Sequence, residues 1–168
     1  MPDIFTNDRP HVVVLGLMGV GKSTTARAIG EAGAVPVHDS DEDIENLFGQ
    51  TGSQLADAKG IDELHRVESA VLLGRLADEV PSVISAAASV VDDPLARQAL
   101  ANRAHVAVLH APVDEIMQRI ATGAHRRGMD RAELAALAER RSPLFTAVSD
   151  IDLDATKSTS ELVAAVLR

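Results

Sequence analysis

The clearest chemistry in the chain lies in Gly16-Leu17-Met18-Gly19-Val20-Gly21-Lys22-Ser23, which fits the spacing G-x-x-x-x-G-K-[ST] at every position. A phosphate chain needs several backbone N–H groups turned in on it, and glycines let a loop wrap that tightly. In this spacing the lysine reaches the outer phosphates and the next hydroxyl is placed for Mg²⁺. Gly16, Gly19, Val20, Gly21, Lys22, Ser23 and Thr24 are therefore the candidate nucleotide-binding residues. Lys22 is also a candidate catalytic group and Ser23 a candidate metal ligand. A glycine-rich turn with a chance Lys-Ser is the competing reading. The flanks speak against it, with the apolar run HVVVL before the loop and a helical pattern over Thr24–Glu31 after it.

A second cluster is His38-Asp39-Ser40-Asp41. On an extended backbone Asp39 and Asp41 point to the same side, and ligands of parallel α/β sheets bind beyond the carboxyl ends of the strands. One carboxylate then serves Mg²⁺ through water, and the other orients an attacking hydroxyl or accepts its proton. An acidic first helical turn explains Glu42 and Asp43 more simply. Arg126 and Arg127 lie between Gly123 and Gly128 in a polar, basic stretch. They are either lid residues that bring positive charge to a transferring phosphoryl group or a solvated basic loop. With Lys22 and Asp41 they complete the candidate catalytic set. Ser85 either helps to order metal-bound water or caps its strand. Arg141, just before Pro143, sits near an expected helix C-terminus, where a cation is electrostatically welcome in any case.

These residues need a frame. Apolar runs at His11–Leu15, Ala34–His38, Ser82–Ser85, His105–Leu109 and Ile151–Leu153 alternate with helical patterns at Thr24–Glu31, Asp41–Phe48, Ile61–Glu79, Asp93–Ala101, Val113–Ala121, from Asp130, and from Ser158 to Leu167. Asp130 with Glu133 and Ser158 with Glu161 have the spacing of capping boxes. Strand-helix alternation with short continuous apolar strands predicts a three-layer α/β fold: a five-stranded parallel sheet with helices on both faces. The chain reads as one domain over 1–168, with a loose polar arm at 1–10 and a lid at 122–130.

Composition narrows the function. The net charge of −9 disfavours non-specific binding to nucleic acid or anionic membranes. With no cysteine and no H-E-x-x-H spacing among the six histidines, neither a disulfide framework nor a zinc site is expected. No secretory leader pattern is visible and the apolar runs are far below membrane-spanning length, so the cytoplasm is the expected compartment. A GTPase would read guanine with Asn-Lys-x-Asp, but Asn7, Asn46 and Asn102 do not begin that motif. Large motor ATPases need more chain. A small kinase that moves the γ-phosphoryl group of ATP onto a hydroxyl of a small, anionic molecule remains, with ATP and Mg²⁺ as cofactors.

Further residues carry a resemblance. GLMGVGKST at 16–24, the Asp-x-Asp at 39–41, the run from Gly60 to Glu68 and Arg140-Arg141-Ser142-Pro143-Leu144-Phe145 together resemble shikimate kinase over nearly the full length. The resemblance implies a sheet of the nucleoside-monophosphate-kinase type with a flexible lid. It implies Asp39 at Mg²⁺, Asp41 at the acceptor hydroxyls, Arg141 at the acceptor carboxylate, and a lid arginine at the transferring phosphoryl. Two features depart from the family. Its arginine pair before the glutamate reads His65-Arg66 here, and its three glycines after strand three read Ala86-Ala87-Ala88. A neutral imidazole cannot fork onto a carboxylate, and each added Cβ takes space and restricts φ. Asp41, His65, Ala87 and Arg141 are thus the candidate acceptor-binding residues. His65 is either a surface residue or a changed substrate contact. Three functions compete: a kinase of the shikimate type, a kinase for another small sugar acid or polyol, and a nucleotide-binding regulatory module without catalysis. The intact loop with Asp39 and Asp41 argues against the last.

Overall fold

The computed structural model describes residues 1–122 and 129–168. Five strands form its centre: β1 (His11–Gly16), β2 (Val37–Asp39), β3 (Ser82–Ser85), β4 (Ala104–His110) and β5 (Ile151–Asp154). They make one sheet in the order β2-β3-β1-β4-β5, with every pairing parallel. The helices are α1 (Lys22–Gly33), α2 (Ser40–Phe48), α3 (Gly52–Lys59), α4 (Ile61–Leu76), α5 (Pro94–Arg103), α6 (Val113–Ala121), α7 (Arg131–Val148) and α8 (Thr159–Val166), with a 3₁₀ turn at Ala88–Asp92.

β1 lies in the middle of the sheet and all of its residues are buried. Successive side chains point to opposite faces, so the run splits between two cores. Val12 and Val14 pack with Ala26 and Ile29 of α1, Ile116 of α6 and Leu162 of α8. Val13 and Leu15 pack with Leu72 of α4, Leu100 of α5 and Phe145 of α7. Burying one such aliphatic side chain contributes about 1.5–3 kcal/mol. A smaller core of Ile44, Leu55, Ala56, Leu64 and Val67 joins α2, α3 and α4 beside the sheet. No helix among the described residues is long and apolar enough to cross a membrane.

Several local expectations change. β2 begins at Val37 rather than Ala34, because α1 runs on to Gly33 and Ala34 closes it in the left-handed region at φ 53°, ψ 42°. α3 was not foreseen, although Thr51 and Gln54 form a capping box at its start. α4 stops at Leu76, short of Glu79. Pro143 lies inside α7 rather than at its end. Phe145, buried in the second core, holds the turn after the proline in place. Nor is the 1–10 segment a loose arm. Phe5 is 7% exposed in the first core, and Arg9 donates to the Ala104 carbonyl and pairs with Asp150. An aromatic ring in a polar segment gains by burial and brings the segment with it.

Candidate active site

The phosphate-binding loop leaves the carboxyl end of β1 and enters α1. Its glycines answer to geometry. Gly16 sits at φ +143°, and a Cβ there would stand 2.7 Å from the Leu109 carbonyl oxygen. Gly21 is the N-cap of α1 at φ 107° and offers no side-chain cap, so the first N–H groups of the helix are left to an anion. Lys22 curls back over the loop, its Nζ donating to the carbonyls of Gly16 at 3.1 Å and Leu17 at 3.2 Å. Arg119 of α6 braces the loop from outside. It donates to the Val20 carbonyl at 2.8 Å and the Ala155 carbonyl at 2.8 Å, and pairs with Glu115 at 2.5 Å. Nothing in local spacing pointed to Arg119, because its loop partner is 99 residues away in sequence.

Ser23, Asp39 and Ser85 meet where α1, β2 and β3 converge. The Ser23 hydroxyl donates to Asp39 Oδ2 at 2.5 Å, and the Ser23 and Ser85 hydroxyl oxygens are 3.5 Å apart. Register explains the meeting, since Asp39 and Ser85 are paired residues of β2 and β3. Asp39 is 7% exposed. Adjacent hydroxyl and carboxylate oxygens suit a hard cation that keeps most of its shell for phosphates and water. Among the described residues no cluster of three or more His, Cys, Asp or Glu could hold a metal by itself. The donor set therefore fits Mg²⁺ carried in with a nucleotide.

The Asp-x-Asp geometry differs from expectation. The backbone is not extended through Asp41. Asp39 ends β2 as the N-cap of α2, accepting from the Asp41 N–H at 3.0 Å, and Asp41 lies in the first helical turn. Alternation along a strand therefore cannot be what aligns the two carboxylates. Asp41 nevertheless lies close enough to Glu68 of α4 for its charge to help raise that carboxyl's pKa. Glu42 pairs with Arg27 at the surface. Asp43 is clamped by Arg75 through bonds of 2.9 and 2.5 Å, tying α2 to α4.

Glu68 faces the same region. Burial pushes its pKa up, a hydrogen bond from Ser89 works against that, and Asp41 adds to the rise while Arg141 and Lys22 oppose it. Arg141, 4% exposed in the middle of α7, forks onto Asp92 of the 3₁₀ turn: Nε donates to Oδ2 at 3.1 Å and Nη2 to the same oxygen at 2.7 Å. His65 is half-buried. Burial first, then the charge of Arg141, holds its imidazole below its ordinary value, which favours the neutral form. Ala86 is buried against the second core, while Ala87 is partly exposed at φ −63°, ψ 146°. That conformation is open to any residue, so the effect of Ala87 is its methyl volume and not strain. Thr24 is exposed on α1. Arg126 and Arg127 lie outside the described residues. Glu68, Ser89 and Asp92 went unread as site residues, since the bonds that gather them join distant segments.

The model of the shikimate kinase family matches residues 18–168. The chain belongs to the shikimate kinase family. The shikimate kinase of Brucella canis is 31% identical over 160 residues, covering 93% of this chain and 79% of that protein. The enzyme of Xanthomonas euvesicatoria pv. vesicatoria is 28% identical over 166 residues, covering 94% of this chain and 92% of its own. Among solved structures, a shikimate kinase from Acinetobacter baumannii in complex with shikimate superposes with a TM-score of 0.86 at 23% identity, covering 96% of this chain and 92% of that one. That likeness establishes the P-loop kinase fold. As a member of the shikimate kinase family the protein is a small-molecule kinase, a phosphotransferase with an alcohol group as acceptor.

Proposed function

We propose that the protein transfers the γ-phosphoryl group of ATP to a hydroxyl of a small hydroxylated acid of the shikimate type, within one kinase domain. The observation that carries this reading is the meeting of the Lys22–Ser23 start of α1 with Asp39 at the carboxyl end of β2. Lys22 neutralises the outer phosphates in this reading, and the N-terminal N–H groups of α1 hold them. Ser23 and Asp39 would hold Mg²⁺, which screens the phosphate oxygens when bound. Asp41 orients the acceptor hydroxyl and takes up its proton as the oxygen attacks phosphorus and ADP departs. Arg126 or Arg127 supplies the cation for the developing charge.

A second reading, a kinase for another sugar acid or a polyol, has its own observations: an imidazole at His65 that burial holds below its ordinary value, the methyl of Ala87 and the engagement of Arg141 by Asp92. A coupled assay of ADP release over shikimate, other hydroxylated acids and polyols tests both. ADP release with shikimate supports the first. Release only with other acceptors supports the second, and no release with any acceptor defeats both.

A further inference from the structure

Arg141 is the residue that the family resemblance sets against an acceptor's carboxylate, and in this chain its fork already holds one. Nε approaches both oxygens of Asp92, at 3.4 and 3.1 Å, and Nη2 donates to Oδ2 at 2.7 Å. The arginine side chain is 5% exposed and the aspartate side chain 37%. The pair is therefore a buried cation with its counter-charge on the open side. Asp92 lines an open cleft of about 430 Å³ together with His65, Ser69 and Ser89. The other position from which the family draws a cation is His65, whose imidazole favours the neutral form. Ser89, three residues before Asp92, donates to Glu68, so the turn that carries Asp92 is tied to a second carboxyl facing the site. An incoming carboxylate must displace Asp92 from the guanidinium or settle beside it against like charge.

Resting on the proposed kinase function, we infer that Asp92 determines acceptor specificity: it takes the place of a substrate carboxylate at Arg141, so that the pocket accepts uncharged hydroxylated molecules at least as well as carboxylated ones. A neutral acceptor leaves the Arg141–Asp92 pair intact and needs hydroxyl partners only. A carboxylated acceptor competes with a tethered carboxylate of the same chemistry at close to fixed geometry.

The test uses shikimate and its methyl ester, which differ in this charge, with the wild-type protein, Asp92→Asn and Asp92→Ser. Asparagine keeps an oxygen for the fork but removes the competing charge. Steady-state kinetics give KM and kcat, and calorimetry gives binding apart from turnover. The expected wild-type result is a kcat/KM for the ester equal to or above that for the acid. Asp92→Asn should lower KM for the acid relative to KM for the ester by about tenfold or more, the worth of a regained charged hydrogen bond. A wild-type preference for the acid of about 100-fold or more, unaltered in either variant, overturns the inference. If both variants unfold, the wild-type acid-to-ester ratio decides alone. No ADP release with either compound in any protein defeats the kinase reading itself, an outcome separate from a strong preference for the acid.

Discussion

The two halves of the candidate site have followed different rules. On the nucleotide side every position of the phosphate-binding spacing is kept, and the supporting contacts are tight: Ser23 on Asp39, Arg119 on the Val20 carbonyl, the loop wedged against Leu109 at Gly16. On the acceptor side the family's arginine is His65, its glycines are Ala86 to Ala88, and Arg141 is engaged by Asp92. The loop is fixed by the ends of β1 and β4, whereas the acceptor side draws Asp41 from α2, His65 from α4, Asp92 from the 3₁₀ turn and Arg141 from α7. Phosphoryl transfer tolerates little displacement of its parts. An acceptor pocket assembled from other elements can change its chemistry without moving them.

The largest effect should come from the conserved-geometry half. Lys22→Ala is expected to lower ADP release by about 10³-fold or more, since it removes the cation aimed at the outer phosphates. Its melting temperature should change far less than its turnover, because Lys22 lies at the loop end of α1 and not among the core residues. ATP with Mg²⁺ should raise the melting temperature of the wild type through preferential binding to the native state. Undiminished turnover in Lys22→Ala would remove the phosphate-binding loop from the catalytic reading.

Next come the two aspartates of α2, which set catalysis against structure. Asp41→Asn should cost about 10²–10⁴-fold in kcat. Asp43→Asn should cost little in kcat and show instead as a loss of stability. Its carboxylate is clamped by Arg75, and the loss of a partly screened charged pair costs about 1–2 kcal/mol, or roughly 2–8 °C in melting temperature at this chain length. Equal kcat losses in the two variants would show that the first turn of α2 does not sort them as described.

How much of this was legible in the sequence follows from the range of each interaction. The phosphate-binding loop, the strands and the Ser158 and Asp130 capping boxes are written in contiguous residues, and apart from the bounds of β2 the fold carries them as read. α3 was equally local in its Thr51–Gln54 signal and was overlooked because its apolar positions are few. The Arg141–Asp92 fork spans 49 residues, and the Ser89–Glu68 bond 21, so no spacing rule reaches either. Arg141 looked like a helix-end charge because Pro143 suggested a stop. The burial of Phe145 overrides that local signal and leaves the arginine in mid-helix.

A smaller effect tests the acceptor half directly. His65→Arg with Ala87→Gly should improve KM for shikimate by about ten- to 150-fold, the worth of one charged hydrogen bond. Ala86 is better left alone, since it is 1% exposed and its methyl belongs to the second core. No improvement would mean that these two positions are neutral replacements and that discrimination lies with Asp92.

The smallest expected effect concerns pH and sets the buried sheet against the site. His11 is fully buried, with Nδ1 2.9 Å from the Ser82 hydroxyl and Nε2 3.0 Å from the Asp78 carbonyl oxygen. The carbonyl can only accept, so Nε2 carries the proton and Nδ1 accepts from Ser82. Burial holds the imidazole below its ordinary value of 6.5. The unfolded chain therefore binds this proton more readily than the native state. Its contribution to stability is complete above about pH 6.5 and is lost as pH falls through the lower native value, with a slope of at most about 1.4 kcal/mol per pH unit. Glu68 works in the opposite sense: its raised native pKa means that stability falls as pH rises above its ordinary value of 4.5, until the native carboxyl has ionised. Melting curves from pH 7 down to pH 5 should show a decline that is shallower in His11→Gln, which cannot take up the proton. Melting curves between pH 4.5 and pH 6 should show a more favourable pH slope for Glu68→Gln than for the wild type. Parallel curves for His11→Gln and the wild type would show that the acid response belongs to the other histidines held low by burial, His38, His65 and His105.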